Sequence, residues 1–349
     1  MSEAPLTKPF SLQEIRMASM FMTSLVKTVS LDDSLKEMAK LQRQRAEFWL
    51  SANSHVRAGQ SLSSFLEKYW PLMFTTPVRI GEQSGKLSSV FEKIANTAEL
   101  QLEIFSTMRK LVYPVGMIVL GMGVGIFFML SVIPAMASGS ERSRSSSAMK
   151  LSLAAHDLVN QHPAILGAVG LGFIAWAFQM LKSPTARSAI LAKLDYVPGL
   201  GPAIRSLYYG LWSRYIALMQ ECSIPLQDAI GISQPLLLDY MVPSVEAVRD
   251  NARLGFSNAV DLDKVPPGDP RHALPVFLTN AFRMTDNTGS GQIHFEAAST
   301  PLVKIGMVQI HRFIDVAQGL STLIAAAFAV APMLLYFLQA TDLIKNALR

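Results

Sequence analysis

The sequence predicts an all-α membrane protein with two duplicated cytoplasmic antiparallel helical bundles and three transmembrane helices. Three observations favour this fold class. The 349 residues are 50% hydrophobic and only 16% charged, which is more apolar than an ordinary soluble domain. The apolar residues are concentrated in three uncharged stretches, and one segment recurs later in the chain. Outside the stretches, hydrophobic residues recur three and four positions apart, which is typical of amphipathic helices.

The three uncharged stretches are the predicted transmembrane helices, because a helical span needs about 20 apolar residues. They lie at 111–136, 164–181 and 319–338, and none contains Asp, Glu, Lys or Arg. For the two shorter stretches the alternative is a buried core helix. Their Gly and Ala content and their lack of charge favour lipid.

These spans divide the rest of the chain into four parts. They are a first cytoplasmic helical module at 1–110, a periplasmic loop at 137–163, a second cytoplasmic helical module at 182–318 and a periplasmic tail at 339–349. The N-terminus lacks the apolar core of a cleaved signal peptide, so we expect it in the cytoplasm. Lys and Arg near the span ends favour the same orientation by a small margin.

An internal repeat gives a stronger argument for this orientation. The segment PLMFTTPVRIGEQSG, which begins at Pro71, matches PVFLTNAFRMTDNTG, which begins at Pro275, without a gap. Upstream the offset falls from 204 to 195 or 196, and the Pro/Gly-rich segment Val265 to His272 accounts for the difference. Two copies of one soluble module are expected in the same compartment, so the loop at 137–163 should lie on the opposite side.

Each copy is predicted to be a small helical bundle. In the first copy, Ser30 is the predicted N-cap of a helix over 31–50, with Asp32 and Asp33 in its first turn. A second amphipathic helix is predicted over 86–110, after a turn at 81–85.

The turn GEQSGK at 81–86 superficially resembles a phosphate-binding loop. A Walker A loop has four residues between its glycines and Ser or Thr after its lysine, whereas this sequence has three residues and Leu87. We therefore interpret it as an interhelical turn in which the glycines give backbone freedom, Ser84 caps and Glu82 bonds to backbone amides. The alternative is a partner-contact or cation-coordinating patch. The candidate residues in the two copies are Gly81, Glu82, Ser84 and Gly85, and Asp286, Thr288 and Gly289.

Other chemistry finds little support in the sequence. The six histidines show no metal-ligand spacing, and Cys222 is the only cysteine, so we predict no catalytic residue, no metal and no cofactor. The net charge of +5 is too small and dispersed to indicate nucleic-acid binding. The uncharged spans argue against an ion-coupled pump. The protein is therefore expected not to be an enzyme.

Small residues four positions apart mark candidate helix-packing sites in the spans, because they let helix backbones approach closely. There is one such pair in each span: Gly121 and Gly125, Ala168 and Gly172, and Ala325 and Ala329.

Together these features resemble the inner-membrane platform proteins of type II secretion and type IV pilus systems. The most specific matching pieces are RAGQSL at 57–62, GEQSGKL at 81–87 and IPLQDAI at 224–230. The second copy departs from the pattern, since TDNTGSG replaces the acidic-glycine turn, which is consistent with a divergent type IVb or thin-pilus branch.

The resemblance implies a scaffold in the bacterial inner membrane that couples a hexameric cytoplasmic assembly ATPase to extraction and polymerisation of pilin or pseudopilin subunits. It also implies contacts with other inner-membrane assembly proteins and with lipid, and a homodimer or higher homo-oligomer. The alternative function is a polytopic transporter or channel subunit, which would need a polar pathway through the spans. The spans offer only scattered Ser, Thr and Gln179 for such a pathway.

Overall fold

The computed structural model describes residues 9–110, 112–127, 193–254 and 265–347. All regular secondary structure in these ranges is helical, which confirms the predicted all-α class for the described part of the chain. The second predicted span, the predicted periplasmic loop and the end of the first span lie outside the described residues. Ala168 and Gly172 therefore do so as well.

Twelve α-helices, together with short 3-10 turns, make up the described ranges. They are α1 Leu12–Thr28, α2 Leu31–Leu41, α3 Ala46–Arg57, α4 Leu62–Leu66, α5 Leu72–Ser84, α6 Leu87–Arg109, α7 Val112–Phe127, α8 Leu200–Glu221, α9 Leu226–Ser233, α10 Val242–Arg253, α11 Val276–Thr288 and α12 Gly291–Ala347.

The helices belong to two compact units. The first unit comprises the described residues of Met1–Ser106 and Ala192–Gln309, and the second comprises those of Thr107–Leu191 and Ile310–Arg349. Helices α1 to α5 and α8 to α11 lie wholly within the first unit.

Polar side chains cap the N-terminal ends of the first two helices of the first unit. Ser11 and Glu14 form a reciprocal capping box at the start of α1. The side chain of Ser30 accepts a hydrogen bond from the backbone N–H of Asp33 at 3.2 Å, which confirms Ser30 as the N-cap of α2.

The helix predicted over 31–50 is wrong in its extent, because α2 ends at Leu41 and α3 begins at Ala46. The indole N–H of Trp49 donates to Oε1 of Gln42 at 2.9 Å, across the break. The reversal lets Phe48 and Trp49 pack into an aromatic cluster with Phe10, where ring centroids lie 4.6 to 6.1 Å apart. Burial of these rings explains why the chain turns back at this point.

Helix α8 forms the centre of the later part of the first unit. The hydroxyl of Ser213 donates to the carbonyl oxygen of Phe295 at 2.7 Å, and that of Ser299 donates to Gly210 at 2.7 Å. A Cβ on Gly210 would lie 2.7 Å from Cγ2 of Val303. Helices α8 and α12 are therefore packed at close to backbone contact within this unit.

Among the described residues, one helical stretch, Leu87–Gly121, is long and apolar enough to cross a membrane, judged by length and composition alone. Helix α7 covers the described part of the first predicted span, and α12 runs unbroken through the third.

Candidate functional site

The first candidate turn depends on its two glycines in different ways. Gly85 adopts the left-handed conformation, with φ of 70°, which glycine tolerates best. The backbone N–H of Lys86 then donates to the carbonyl oxygen of Gly81 at 2.8 Å. A Cβ on Gly81 would lie 2.8 Å from Cγ2 of Val90. Gly85 is needed for its conformation, whereas Gly81 allows α5 and α6 to approach.

The turn itself is shorter than the predicted 81–85. Residues 81–84 continue α5, and Gly85 alone reverses the chain. Ser84, which was expected to cap, donates its hydroxyl to the carbonyl oxygen of Ile80 at 2.8 Å, within the last turn of α5. The left-handed glycine can end the helix directly, so no longer loop is needed.

Glu82 bonds to backbone amides, and the structure identifies them as those at the start of α4. Its carboxylate accepts hydrogen bonds from the N–H of Leu62 at 2.7 Å and from the N–H and hydroxyl of Ser63, both at 3.2 Å. A carboxylate at this position satisfies helix N–H groups that have no partner within the helix. Glu82 thereby joins two of the most specific sequence pieces, 57–62 and 81–87.

The second candidate turn has the same backbone geometry. Gly289 ends α11 with φ of 69°, and its N–H donates to the carbonyl oxygen of Thr285 at 2.8 Å. Thr288 donates its hydroxyl to the carbonyl oxygen of Met284 at 2.8 Å. Asp286 is half-buried and interacts with a neighbouring group. The segment that would correspond to α4 lies mostly outside the described residues.

The alternative interpretation of the turns as a cation site receives no support from the described residues. The Glu82 oxygens accept hydrogen bonds from α4, as given above. In the described ranges no three His, Cys, Asp or Glu side chains are grouped as a metal site requires.

The first unit consists of an early segment, the described residues of Met1–Ser106, and a late segment, those of Ala192–Gln309. The first turn lies beside helix α8, where these two segments are in contact. A pocket of about 70 Å³ is lined by Ile80, Gly81 and Ser84 on one side and by Leu218 and Cys222 on the other. Burial raises the pKa of the Cys222 thiol to about 11, with Glu221 as a second cause. The thiol therefore stays protonated at neutral pH, as expected for a packing residue rather than a nucleophile.

Aromatic, polar and ionic groups all contribute to this contact between segments. The rings of Phe74 and Tyr215 lie 5.6 Å apart, and the Tyr215 hydroxyl donates to Oε1 of Gln101 at 2.9 Å. Lys93 forms an ion pair with Glu221. Burial also raises the pKa of the Tyr215 hydroxyl well above its usual value. Sequence periodicity did not indicate this surface, because it depends on residues more than 100 positions apart.

An open groove of about 500 Å³ continues the same contact. It lies between α5 and α9, and its lining includes Leu72, Thr76, Ile80, Pro225, Asp228 and Ile232. The early segment therefore contacts the late segment along one connected surface, formed by α5 and α6 on one side and by α8 and α9 on the other.

Two of the predicted helix-packing residues meet within the second unit. A Cβ on Gly121 would lie 2.4 Å from the Cα atom of Ala325, so α7 and α12 approach at backbone contact there. Gly125 lies about one turn further along α7, and Ala329 is half-buried about one turn further along α12.

Comparison with known proteins shows which proteins this chain resembles. Residues 17–134 match the family model described as type II secretion system (T2SS), protein F. The type II secretion system protein F of Vibrio cholerae is 26% identical over 279 residues, which cover 74% of this chain and 68% of that protein.

Two further relatives are named for pilus assembly. The type 4 fimbrial assembly protein PilC of Pseudomonas putida is 26% identical over 70% of this chain and 62% of that protein. The type IV pilus assembly protein PilC of Thermus thermophilus is 26% identical over 68% of this chain and 58% of its own length. The chain thus spans about three fifths of the length of these two relatives. The family model matches most of α1 and all of α2 to α7, so this part of the chain is similar to the type II secretion system protein F family.

Proposed function

We propose that this chain is a non-enzymatic inner-membrane platform of a type IV pilus or type II secretion assembly machine. The observation that carries the proposal is the family match over 17–134, together with relatives named for both kinds of system. In this role the chain couples a hexameric cytoplasmic assembly ATPase to extraction and polymerisation of pilin or pseudopilin subunits.

Part of the proposal is that the early and late segments of the first unit are copies of one module. Helices α5 and α11 are both 13 residues long, each follows an N-cap proline and each ends at a left-handed glycine. Helices α3 and α10 are both 12 residues long. These matches occur at the offsets of 204 and 196 seen in the sequence, which supports duplication.

The proposal also includes the topology of the chain. Three spans place both modules in the cytoplasm, the loop at 137–163 and the C-terminal tail in the periplasm, and the N-terminus in the cytoplasm. The composition of the spans and the repeat on either side of the first two spans support this arrangement.

The role is tested by deleting the gene and measuring surface pili or secreted substrate. Assembly or secretion should be lost, whereas proteolytic processing of the prepilin should continue, because the platform acts after that step. Normal surface assembly in the deletion strain would contradict the proposal.

Complementation with turn variants makes this test specific. Gly85→Val should fail to restore assembly, because a β-branched residue does not tolerate φ of 70°. The matched control is Gln83→Val, at an exposed position of α5, which should restore assembly. Membrane levels of each variant are measured by immunoblot, so that loss of protein is separated from loss of coupling.

Coupling to the ATPase is tested by copurification from membranes of the native host. The full-length chain should retain the assembly ATPase, and the retained fraction should fall when the cytoplasmic modules are altered at their surfaces. A chain that supports assembly without any contact with the ATPase would contradict this part of the proposal.

A further inference from the structure

The contact between the early and late segments uses one surface of each segment. The early segment contributes α5 and α6, and the late segment contributes α8 and α9. If the segments are copies, as proposed above, the late segment carries its own version of the α5 and α6 surface. The early segment likewise carries its own version of the α8 and α9 surface.

The late segment's version of the first surface is apolar and exposed. Positions 204 residues after Leu72, Ile80, Ser89 and Gln101 are Val276, Met284, Ile293 and Ile305. Their exposed fractions are 67%, 48%, 64% and 38% in the described structure. We call these four residues the tail face. An exposed group of large apolar side chains of this kind is typical of a surface that binds another protein.

The early segment's version of the second surface is also exposed. Helix α2 begins at Leu31 and α9 at Leu226, which is the offset of 195 seen in the sequence. At this offset Val29 corresponds to Ile224, which lines the open groove of the segment contact. Val29 is 42% exposed, and Ser30 is exposed as well. We call the α1–α2 junction around Val29 and Ser30 the head face.

The head and tail faces are both exposed within one chain, so they do not cover each other there. A second copy of the chain supplies the missing surface in each case. The contact between α5–α6 and α8–α9 already shows how such surfaces fit, since Ile80 and Ile224 line one groove. The positions that correspond to this pair are Met284 and Val29.

We propose that the tail face of one chain docks on the head face of a second chain, in the manner in which the early segment packs on the late segment. This inference rests on the proposed duplication and not on the assembly role. The contact is heterologous, because different surfaces of two identical chains meet. Repetition of such a contact generates a closed ring or an open series of subunits, rather than a two-fold dimer.

Cross-linking between differently tagged chains tests the predicted pairing. Full-length chains carrying Val29→Cys with one tag and Met284→Cys with another are mixed in lipid vesicles and treated with a short bismaleimide. We expect a product that contains both tags. Unsubstituted chains, in which Cys222 is buried, give the background.

The matched control is Leu50→Cys, on an exposed position of α3 whose counterpart Glu246 does not line the segment contact. Leu50→Cys with Met284→Cys should give only background product. The proposal is overturned if this pair cross-links as well as the Val29 pair does. It is also overturned if Met284→Cys links mainly to itself, since that result indicates a two-fold contact.

A charge exchange provides an independent readout. Met284→Lys alone and Val29→Lys alone should each weaken self-association of the full-length chain about tenfold, because each buries an unpaired charge in an apolar contact. Val29→Glu combined with Met284→Lys in the same chain should restore association, since each new contact then pairs opposite charges. Failure of both single variants to weaken association would overturn the proposal.

The same variants separate this inference from the proposed function. If self-association follows the predicted pattern in vesicles while a deletion strain still assembles pili, the assembly role fails and the inference stands. If a purified assembly ATPase covers Met284 and chains never cross-link to one another, the tail face binds a different partner and the inference fails.

Discussion

At the residue scale, Glu82 carries the most specific local interaction of the first candidate turn. Its carboxylate accepts three hydrogen bonds from the start of α4. The amide of Gln offers only one acceptor oxygen, and its NH₂ group would face a donor. Glu82→Gln should therefore lower the free energy of unfolding by about 1–3 kcal/mol.

This expectation is checked by thermal unfolding of the purified full-length chain in detergent. Gln83→Ala, at the exposed neighbouring position, is the control and should change stability by less than about 0.5 kcal/mol. Equal melting temperatures for Glu82→Gln and the unsubstituted chain would show that these hydrogen bonds contribute no net stability.

Cys222 allows a prediction about pH. Burial and, to a smaller extent, Glu221 raise the pKa of its thiol from 9.0 to about 11. The thiolate is the reactive form, so at pH 8 its population should be about 100-fold lower than for an unperturbed thiol. Alkylation by iodoacetamide should be correspondingly slow at pH 8 and should accelerate until the pH approaches 11.

The rate is measured by mass spectrometry of the full-length chain over pH 7 to 10. An exposed cysteine introduced as Leu50→Cys in the same chain gives an internal reference. Equal rates at both cysteines at pH 8 would mean that Cys222 is accessible and unperturbed.

Sequence reasoning at this scale identified residue types better than residue partners. It predicted that Glu82 bonds to backbone amides, because a carboxylate beside a glycine turn commonly does so. It could not name Leu62 and Ser63, since their position depends on how α4 folds back onto α5. It missed Tyr215 and Gln101 for the same reason.

At the element scale, helix ends followed local signals except where the core required a reversal. The N-cap at Ser30 and the left-handed helix end at Gly85 each depend on only a few adjacent residues. The break between α2 and α3 has no proline or glycine to mark it. It is stabilised by burial of Phe48 and Trp49, which a periodic pattern along one helix does not reveal.

Packing between α7 and α12 gives the prediction at this scale. A Cβ on Gly121 would lie 2.4 Å from Cα of Ala325, whereas a Cβ on Gly123 would meet no atom within 4 Å. Gly121→Ala should therefore destabilise the full-length chain by about 1–3 kcal/mol, because the helices must separate. Gly123→Ala should leave it unchanged or stabilise it by up to about 1 kcal/mol, because Ala favours helix.

The two variants are compared by thermal unfolding in detergent. Their positions on α7 differ by only about half a helical turn. Gly121→Ala should lower the melting temperature, whereas Gly123→Ala should leave it unchanged or raise it. If Gly121→Ala is as stable as Gly123→Ala, backbone contact between α7 and α12 is not what holds these helices together.

At the scale of the whole molecule, the all-α class could be read from composition and periodicity, whereas the contact between segments could not. Hydrophobic spacing shows that a helix has a buried face, but not which distant helix covers it. Phe74 is an example, because it is buried and its ring lies 5.6 Å from the ring of Tyr215 in the late segment. A duplicated sequence indicates two similar modules and leaves their mutual arrangement open.

The topology of the chain is the prediction that belongs to this scale. Two duplicated modules are expected in one compartment, and the first two uncharged stretches lie between them. An alkaline phosphatase fusion after Ser143 should be active, because this enzyme folds only in the periplasm. The same fusion after Ala259 should be inactive, and a green fluorescent protein fusion there should fluoresce. Both positions lie outside the described residues, so the fusions test the sequence argument directly.

Alkaline phosphatase activity at both positions would place the two modules on opposite sides of the membrane. In that case the head and tail faces could not meet between chains of one orientation, so the topology and the proposed self-association would fail together.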